Sequence, residues 1–166
     1  MVEVKINEIT QVRTWEITIP KEEMFSRVSI SSVYINNNLP EEQRGERREL
    51  LEPDRVMFNK YFRESISDLI ILLTRYFQDE ITPSNMDADG NFSIVIHPTL
   101  YMRDSIAYAM YGYILEVIEK NCLVKWFGRE ADAIGVKAEY EAAIDKLTSS
   151  IHYRRKGARL PIDPLL

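Results

Sequence analysis

The sequence predicts a mainly α protein: a bundle of about four helices, two of them long, with a short N-terminal β hairpin, one extra strand and an extended C-terminal arm. Three observations predict this class. Apolar residues recur every three or four positions over several stretches, which is the period of one helix face. Two N-terminal stretches alternate apolar and polar residues, as half-buried strands do. The last thirteen residues contain one glycine and two prolines, which disfavour a helix.

The composition favours a soluble globular protein. With 45% hydrophobic and 28% charged residues, the chain fits neither the disordered nor the membrane class, and no apolar run approaches the roughly 20 residues that cross a bilayer. The N-terminus lacks the basic start and apolar core of a secretion signal, so we expect synthesis and residence in a cytoplasm. Because Cys122 is the only cysteine, no intrachain disulfide is expected.

We predict a single helical domain over residues 1–153, followed by an extended basic arm, residues 154–166. A chain of this length is large enough to bury a core in one domain. From the N-terminus, the predicted elements are a β hairpin region over residues 1–20, helices over 21–35 and 53–80, a strand over 92–97, and helices over 99–127 and 129–153.

The helix over residues 99–127 is the element around which we expect the others to pack. At about 1.5 Å per residue it would run for roughly 40 Å, so an element of similar length must cover its apolar stripe. The helix over residues 53–80 has a matching stripe, and Pro53 suits a first helical turn. The apolar positions that predict an amphipathic central helix are Ile106, Ala107, Met110, Ile114, Val117, Ile118 and Val124.

The last predicted helix, residues 129–153, should pair antiparallel with the central helix. Gly128 predicts the end of the central helix, and the link that follows is short. We expect the small side chains of this helix, among them Ala138 and Ala142, to let it approach its neighbours closely. The positions that predict its apolar side are Ile134, Ala138, Ala142, Ile144, Leu147 and Ile151. Gly135 weakens its first turn.

No arrangement of residues in the sequence indicates catalysis or metal binding. Phosphate-cradling glycine loops, dinucleotide fingerprints and nucleophile elbows are missing. His97 and His152 lie far apart, without cysteines or carboxylates at ligand spacing. The stretch from Asp87 to Gly90 mimics the start of a calcium loop, but the later oxygen ligands are missing. We therefore expect a protein that is not an enzyme, with no catalytic residue, no cofactor and no metal.

Two tyrosines on the central helix are candidates for a subunit interface. Tyr108 and Tyr111 are three residues apart and therefore neighbours on the helix surface. Aromatic residues at helical spacing usually belong to a core, but tyrosine is also enriched at protein interfaces. Both interpretations stay open from the sequence alone.

The arm differs in charge from the rest of the chain. It has four basic side chains and one acidic, so the net charge of −5 divides into +3 for the arm and −8 for the remainder. The acidic remainder argues against broad nucleic-acid binding. The arm could be a solvated terminus, a phosphate contact or a segment that docks on another protein, and we favour docking. The arm residues expected to bind a partner are Arg154, Arg155, Lys156, Arg159, Leu160, Ile162, Leu165 and Leu166.

The order of these elements resembles that of the head-to-tail connectors, small adaptor-like neck proteins of tailed bacteriophages and prophages of Bacteroides-type bacteria. The resemblance includes residues 21–23 (Lys-Glu-Glu), which open a helix, and residues 153–156 (Tyr-Arg-Arg-Lys), which end the last one. It implies a helical subunit that forms a homo-oligomeric ring, commonly a dodecamer, between portal and tail, with its arm on the portal protein or another neck or tail protein.

The resemblance also implies a location. We expect a structural protein of the virion neck, made in the cytoplasm of the bacterial host, without membrane contact and without specific nucleic-acid binding; a passing contact with packaged DNA stays open. The alternatives are a stopper or tail-completion protein of the same neck and a small nucleic-acid-binding regulator that uses the basic arm.

Overall fold

The fold is mainly α, as the sequence predicts, with four helices packed against a small antiparallel sheet in the described part of the chain. A computed structural model describes residues 1–6, 13–39, 49–77, 81–83, 86–98 and 103–155, without the side chains of residues 81–83 and 152–155. The elements are β1 (Val2–Ile6), β2 (Arg13–Ile19), α1 (Lys21–Asn37), α2 (Arg55–Phe77), β3 (Ile81–Pro83), β4 (Phe92–Ile96), α3 (Ser105–Phe127) and α4 (Val136–Arg155), with 3-10 turns at Glu52–Asp54 and Gly128–Glu130.

The sheet has the strand order β1-β2-β4-β3, and each neighbouring pair is antiparallel. β1 and β2 form the predicted N-terminal pair, and residues 7–12 between them lie outside the described residues. β4 is the extra strand and pairs with β2, so that Trp15 lies opposite Ile96. The sequence analysis missed β3, which pairs with the far side of β4. The alternation of β2 and β4 places one apolar face against the helices, and its fully buried side chains are Trp15, Ile17, Ile19, Ile94 and Ile96.

The central helix, α3, is buried on more sides than the sequence predicted. The expected stripe is buried apart from the half-buried Val124. Other directions around the same helix are buried too, because α1, α2, α4 and the sheet all contact it. Its further buried residues are Leu115, Glu119, Asn121, Cys122, Leu123 and Phe127. The prediction of a simple amphipathic helix was therefore wrong, since that pattern describes a helix with one solvated side.

Two helices begin later than predicted. α3 begins at Ser105 instead of residue 99, and residues 99–102 lie outside the described part. α4 begins at Val136 instead of residue 129, because a 3-10 turn and a loop come first. Gly135 closes that loop with a φ of 79°, a conformation that glycine adopts without steric cost.

The predicted apolar side of α4 is confirmed in part. Leu147 and Ile151 of the predicted stripe are buried. Ala138 and Ala142 are exposed, and the nearby Ala143 is buried. The two alanines were placed wrongly because a small side chain removes little apolar area from water when it is buried, so alanine marks burial less sharply than leucine or isoleucine.

The remaining helix ends lie close to the predicted ones. α1 continues two residues past 35, to Asn37. The 3-10 turn that contains Pro53 precedes α2, which ends at Phe77, and residues 78–80 lie outside the described residues. β4 ends at Ile96, one residue before the predicted strand end.

Candidate functional site

The two tyrosines predicted at a subunit interface have different surroundings. The side chain of Tyr108 is 59% exposed, so it is available to a partner. Tyr111 is partly buried and packs against the core. Burial raises the pKa of Tyr111, and the nearby carboxylate of Glu23 raises it further, while Arg27 opposes both. The pair therefore does not form one exposed patch, and its role at an interface stays a prediction.

The basic arm starts where the helical body ends. α4 continues through Arg155, so Arg154 and Arg155 belong to its last turn and not to an extended segment. Ile151, with no exposed surface, is the last described residue whose side chain is buried. The predicted partner-binding residues beyond the helix, Lys156, Arg159, Leu160, Ile162, Leu165 and Leu166, lie outside the described residues.

A buried carboxylate joins α1 to the central helix. Glu119 of α3 is only 9% exposed. Its Oε2 accepts a hydrogen bond from Nε of Arg27 at 3.0 Å, and its Oε1 accepts one from Oγ of Ser31 at 2.7 Å. Both donors lie on α1, so both oxygens of Glu119 are engaged with the same neighbouring helix. Such charge-assisted bonds satisfy a buried carboxylate that would otherwise be costly to desolvate.

A second polar cluster joins α2 to α3. Asp68 accepts a hydrogen bond from Nδ2 of Asn121 at 2.9 Å and forms an ion pair with Nζ of Lys125 at 3.0 Å. Burial raises the pKa of Asp68, but the bonds from Asn121 and Lys125 outweigh it, so the pKa lies below its usual value. One residue along α3, Sγ of Cys122 lies 3.5 Å from Oγ of Ser65, and burial raises the pKa of this thiol to about 12. A thiol with that pKa is not a nucleophile at neutral pH.

The sequence analysis did not identify these polar contacts. Glu119 and Asn121 stand inside an apolar stretch of α3, and that position was the only signal that they are buried. Their partners Arg27 and Asp68 lie 92 and 53 residues away along the chain. Local periodicity cannot predict such pairs, because it carries no information on which helices are neighbours.

The described residues hold no group of three or more histidine, cysteine, aspartate or glutamate side chains arranged to bind a metal ion. Among them, no helix is long and apolar enough to cross a membrane. A shallow depression lies on the outward side of α2, lined by Val56, Asn59, Lys60, Arg63 and Glu64. One helix provides all five side chains, so the depression offers a docking surface for another macromolecule more than an enclosed site for a small ligand.

The chain matches no protein-family model, no curated protein and no solved structure.

Proposed function

We propose that the chain is a structural component of a tailed-phage neck, an adaptor that forms a ring between portal and tail. In this proposal the body supplies the ring and the arm docks on a neighbouring protein. No catalysis is involved. The proposal joins the resemblance in element order to the separation between an acidic helical body and a basic C-terminal end.

The observation that carries the proposal is the point along the chain at which the buried side chains of α4 end. The buried stripe of α4 ends at Ile151, and the helix ends at Arg155. All four basic residues of the arm therefore follow the last buried side chain of the described body. A cationic, proline-containing segment attached to a folded body fits binding to an acidic or sheet-edge surface on a partner.

The buried polar groups support a structural role for the body. The carboxylates of Glu119 and Asp68 are engaged by side chains of the same chain, across helix contacts. Satisfied polar networks of this kind fix how helices pack. A subunit that keeps its shape while its arm binds elsewhere needs a body of this type.

Removal of residues 156–166 tests the proposal. The full-length and truncated chains are each co-expressed with the portal protein encoded in the same genome, and the portal complexes are purified. We expect the truncated chain to retain its helical circular-dichroism signal and its melting temperature, because the buried residues of α4 are all retained. We expect it to lose at least about tenfold in co-purification with the portal, because the docking contacts are gone.

A matched control separates charge from apolar docking. Replacement of Lys156 and Arg159 by glutamine leaves the leucines of the arm in place, whereas replacement of Leu160 and Ile162 by serine leaves the charges. Equal co-purification of the truncated and full-length chains with the portal would contradict the proposal, and so would a full-length chain that never co-purifies with it.

A stopper or tail-completion protein of the same neck is a variant of this proposal. It would use the arm in the same way but bind below the adaptor ring. Labelled chain in purified particles, located by electron microscopy, distinguishes the two positions.

The basic arm also favours a second candidate, a small nucleic-acid-binding regulator. Four basic side chains could each neutralise one phosphate, which predicts duplex binding that weakens steeply as salt is raised. The charge of −8 on the rest of the chain opposes this function. Titration with duplex DNA over a salt series tests it, and tight, salt-sensitive binding would favour the regulator over the adaptor.

A further inference from the structure

We infer that neighbouring copies of this chain pair through the outward side of α2 on one copy and the outward side of α4 on the next. The inference rests on the proposed function in one respect, because both require copies of the chain to associate. It adds the surfaces that meet.

The first surface, which we name the basic face, is the side of α2 turned away from the core. Its members are three or four residues apart and therefore share one side of the helix: Val56, Lys60, Arg63, Ser67 and Ile71. The side chains of Val56 and Ile71 are 83% and 60% exposed. Lys60 is exposed between Val56 and Arg63, and neither Lys60 nor Arg63 forms an ion pair with another described residue.

The second surface, the acidic face, is the outward side of α4. Its members are all exposed: Ala138, Glu141, Ala142, Asp145 and Ser149. Within the described residues, the carboxylates of Glu141 and Asp145 form no ion pair. The face therefore presents two negative charges, with small side chains between them that would let a partner helix approach closely.

The lysines that border the acidic face are already engaged within their own chain. Nζ of Lys137 lies 3.1 Å from Oδ1 of Asp132, and Nζ of Lys146 lies 2.7 Å from Oε1 of Glu116. These internal pairs reduce the positive charge that a partner would meet beside Glu141. The surface therefore keeps a net acidic character.

The charges on the two faces match in spacing. Lys60 and Arg63 are three residues apart, and Glu141 and Asp145 are four apart, which places each pair about 5–6 Å apart on its helix. Two cation–carboxylate pairs can therefore form together when the helices lie side by side. With the helices parallel and Lys60 beside Glu141, Val56 lies one turn earlier, opposite Ala138, and this contact removes apolar surface from water.

The same features disfavour a nucleic acid as the partner of the basic face. Phosphate backbones are bound by clustered cations and polar groups, whereas here exposed aliphatic side chains flank two cations. A protein surface can cover such apolar side chains and pair the charges beside them, whereas a phosphate backbone can use only the charges. The acidic surface of a second copy supplies both the charge and the apolar area.

The two faces point in different directions because α2 and α4 contact different sides of α3. Asn121 of α3 bonds to Asp68 of α2, and the preceding residue, Lys120, bonds to Glu139 of α4 at 2.7 Å. Successive residues of a helix point about 100° apart. A contact between two different faces is heterologous, so it repeats from copy to copy and closes into a ring when the rotation allows.

The contact alone is small. From Val56 to Ile71 the basic face is about 22 Å long on a helix about 10 Å wide, so its area is roughly 220 Å². A stable pairwise interface buries about 800 Å² per partner. We therefore expect weak association between two copies, strengthened when a ring closes and each copy is held twice.

Charge reversal on each face tests the inference in the full-length chain. One variant carries Lys60→Glu with Arg63→Glu, and the other carries Glu141→Lys with Asp145→Lys. We expect each variant alone to be monomeric by sedimentation velocity at a concentration where the unmodified chain associates, because like charges then meet at every contact. An equimolar mixture should associate again, because each reversed face meets a complementary one.

The control variant carries Arg103→Glu with Arg129→Glu, which lowers the net charge by the same amount as the Lys60 and Arg63 reversal, at exposed positions outside both faces. It should associate like the unmodified chain. If a reversal variant loses its circular-dichroism signal, Lys60→Gln with Arg63→Gln replaces it and should weaken association by at least about tenfold.

Four results would overturn the inference. Unchanged association of both reversal variants would place the contact between copies elsewhere, and the proposed function would stand. A mixture that stays monomeric would show that the faces do not pair with each other. An unmodified chain that is monomeric at all concentrations, or a basic face needed for DNA binding instead, would also overturn it, while portal co-purification tests the proposed function separately.

Discussion

The indole Nε1 of Trp15 donates a hydrogen bond to Oδ1 of Asp104 at 2.9 Å, across 89 residues of sequence. Trp15 is fully buried in β2, and Asp104 immediately precedes the first residue of α3. Arg13 of β2 also reaches Asp104, at 3.2 Å. The bond therefore fixes where the central helix begins relative to the sheet.

Replacement of Asp104 by alanine should destabilise the protein by about 1–3 kcal/mol, because the buried indole N–H would lose its acceptor. Asparagine at the same position keeps an acceptor oxygen and should cost less. Urea unfolding followed by tryptophan fluorescence measures both. Equal stability of the alanine variant and the unmodified chain would contradict the role given to this bond.

Removal of the partly exposed Arg27 should lower the free energy of unfolding, because its side chain pairs with the buried carboxylate of Glu119. Among the described residues, the variant Arg27→Met leaves the buried carboxylate of Glu119 with Ser31 as its remaining hydrogen-bond partner. We expect a loss of about 1–3 kcal/mol in the free energy of unfolding. The double variant that adds Glu119→Leu removes the unpaired charge and should recover part of that loss. A double-mutant cycle measures the coupling, and purely additive losses would show that the pair does not interact.

Replacement by alanine should have opposite effects on stability at two glycines, one within α3 and one at its end. Gly112 lies inside the helix, and a Cβ there would have no heavy atom of the described residues within 4 Å, so Gly112→Ala should stabilise by about 0.5–1 kcal/mol. Gly128 ends the helix with φ 55° and ψ −121°, a conformation that alanine avoids, so Gly128→Ala should destabilise by about 1–3 kcal/mol. Thermal melting compares the two variants directly, and shifts of the same sign would contradict this interpretation of the helix end.

The sequence predicted the fold class because period and turn residues are local signals. The stripe from Ile106 to Ile118 is buried as expected, since a helix that long can be recognised without knowing its neighbours. The end of that helix at Gly128 follows from glycine chemistry alone. These features depend on residues within a few turns of one another.

The missed features depend on contacts that are distant along the chain. β3 has three residues, of which Ile81 and Thr82 favour a strand, but two such residues before a proline are too short a signal. β3 exists because its backbone pairs with β4. The burial of Glu119 depends on Arg27 of another helix. The acidic face could not be recognised either, because Ala138 and Ala142 were assigned to the apolar side of the last helix although both are exposed.

The thiol of Cys122 gives a pH dependence with a definite sign. Its pKa is raised from the usual 9 to about 12 by burial, in spite of its contact with Ser65. Between these values the unfolded chain loses the thiol proton and the folded chain keeps it, so the unfolded state is favoured as pH rises. The free energy of unfolding should therefore fall by up to about 1.4 kcal/mol per pH unit above pH 9 from this group alone.

The variant Cys122→Ala isolates this effect, because all other titrating groups stay the same. At pH 7.5 we expect the variant to be less stable than the unmodified chain by about 1 kcal/mol, since a buried sulfur is lost. The difference should shrink and then reverse as the pH is raised from 9 to 10.5, measured by urea unfolding with a reductant present. A difference that stays constant over this range would mean that the thiol ionises as easily in the folded chain as in the unfolded one, and that it is not buried between α2 and α3.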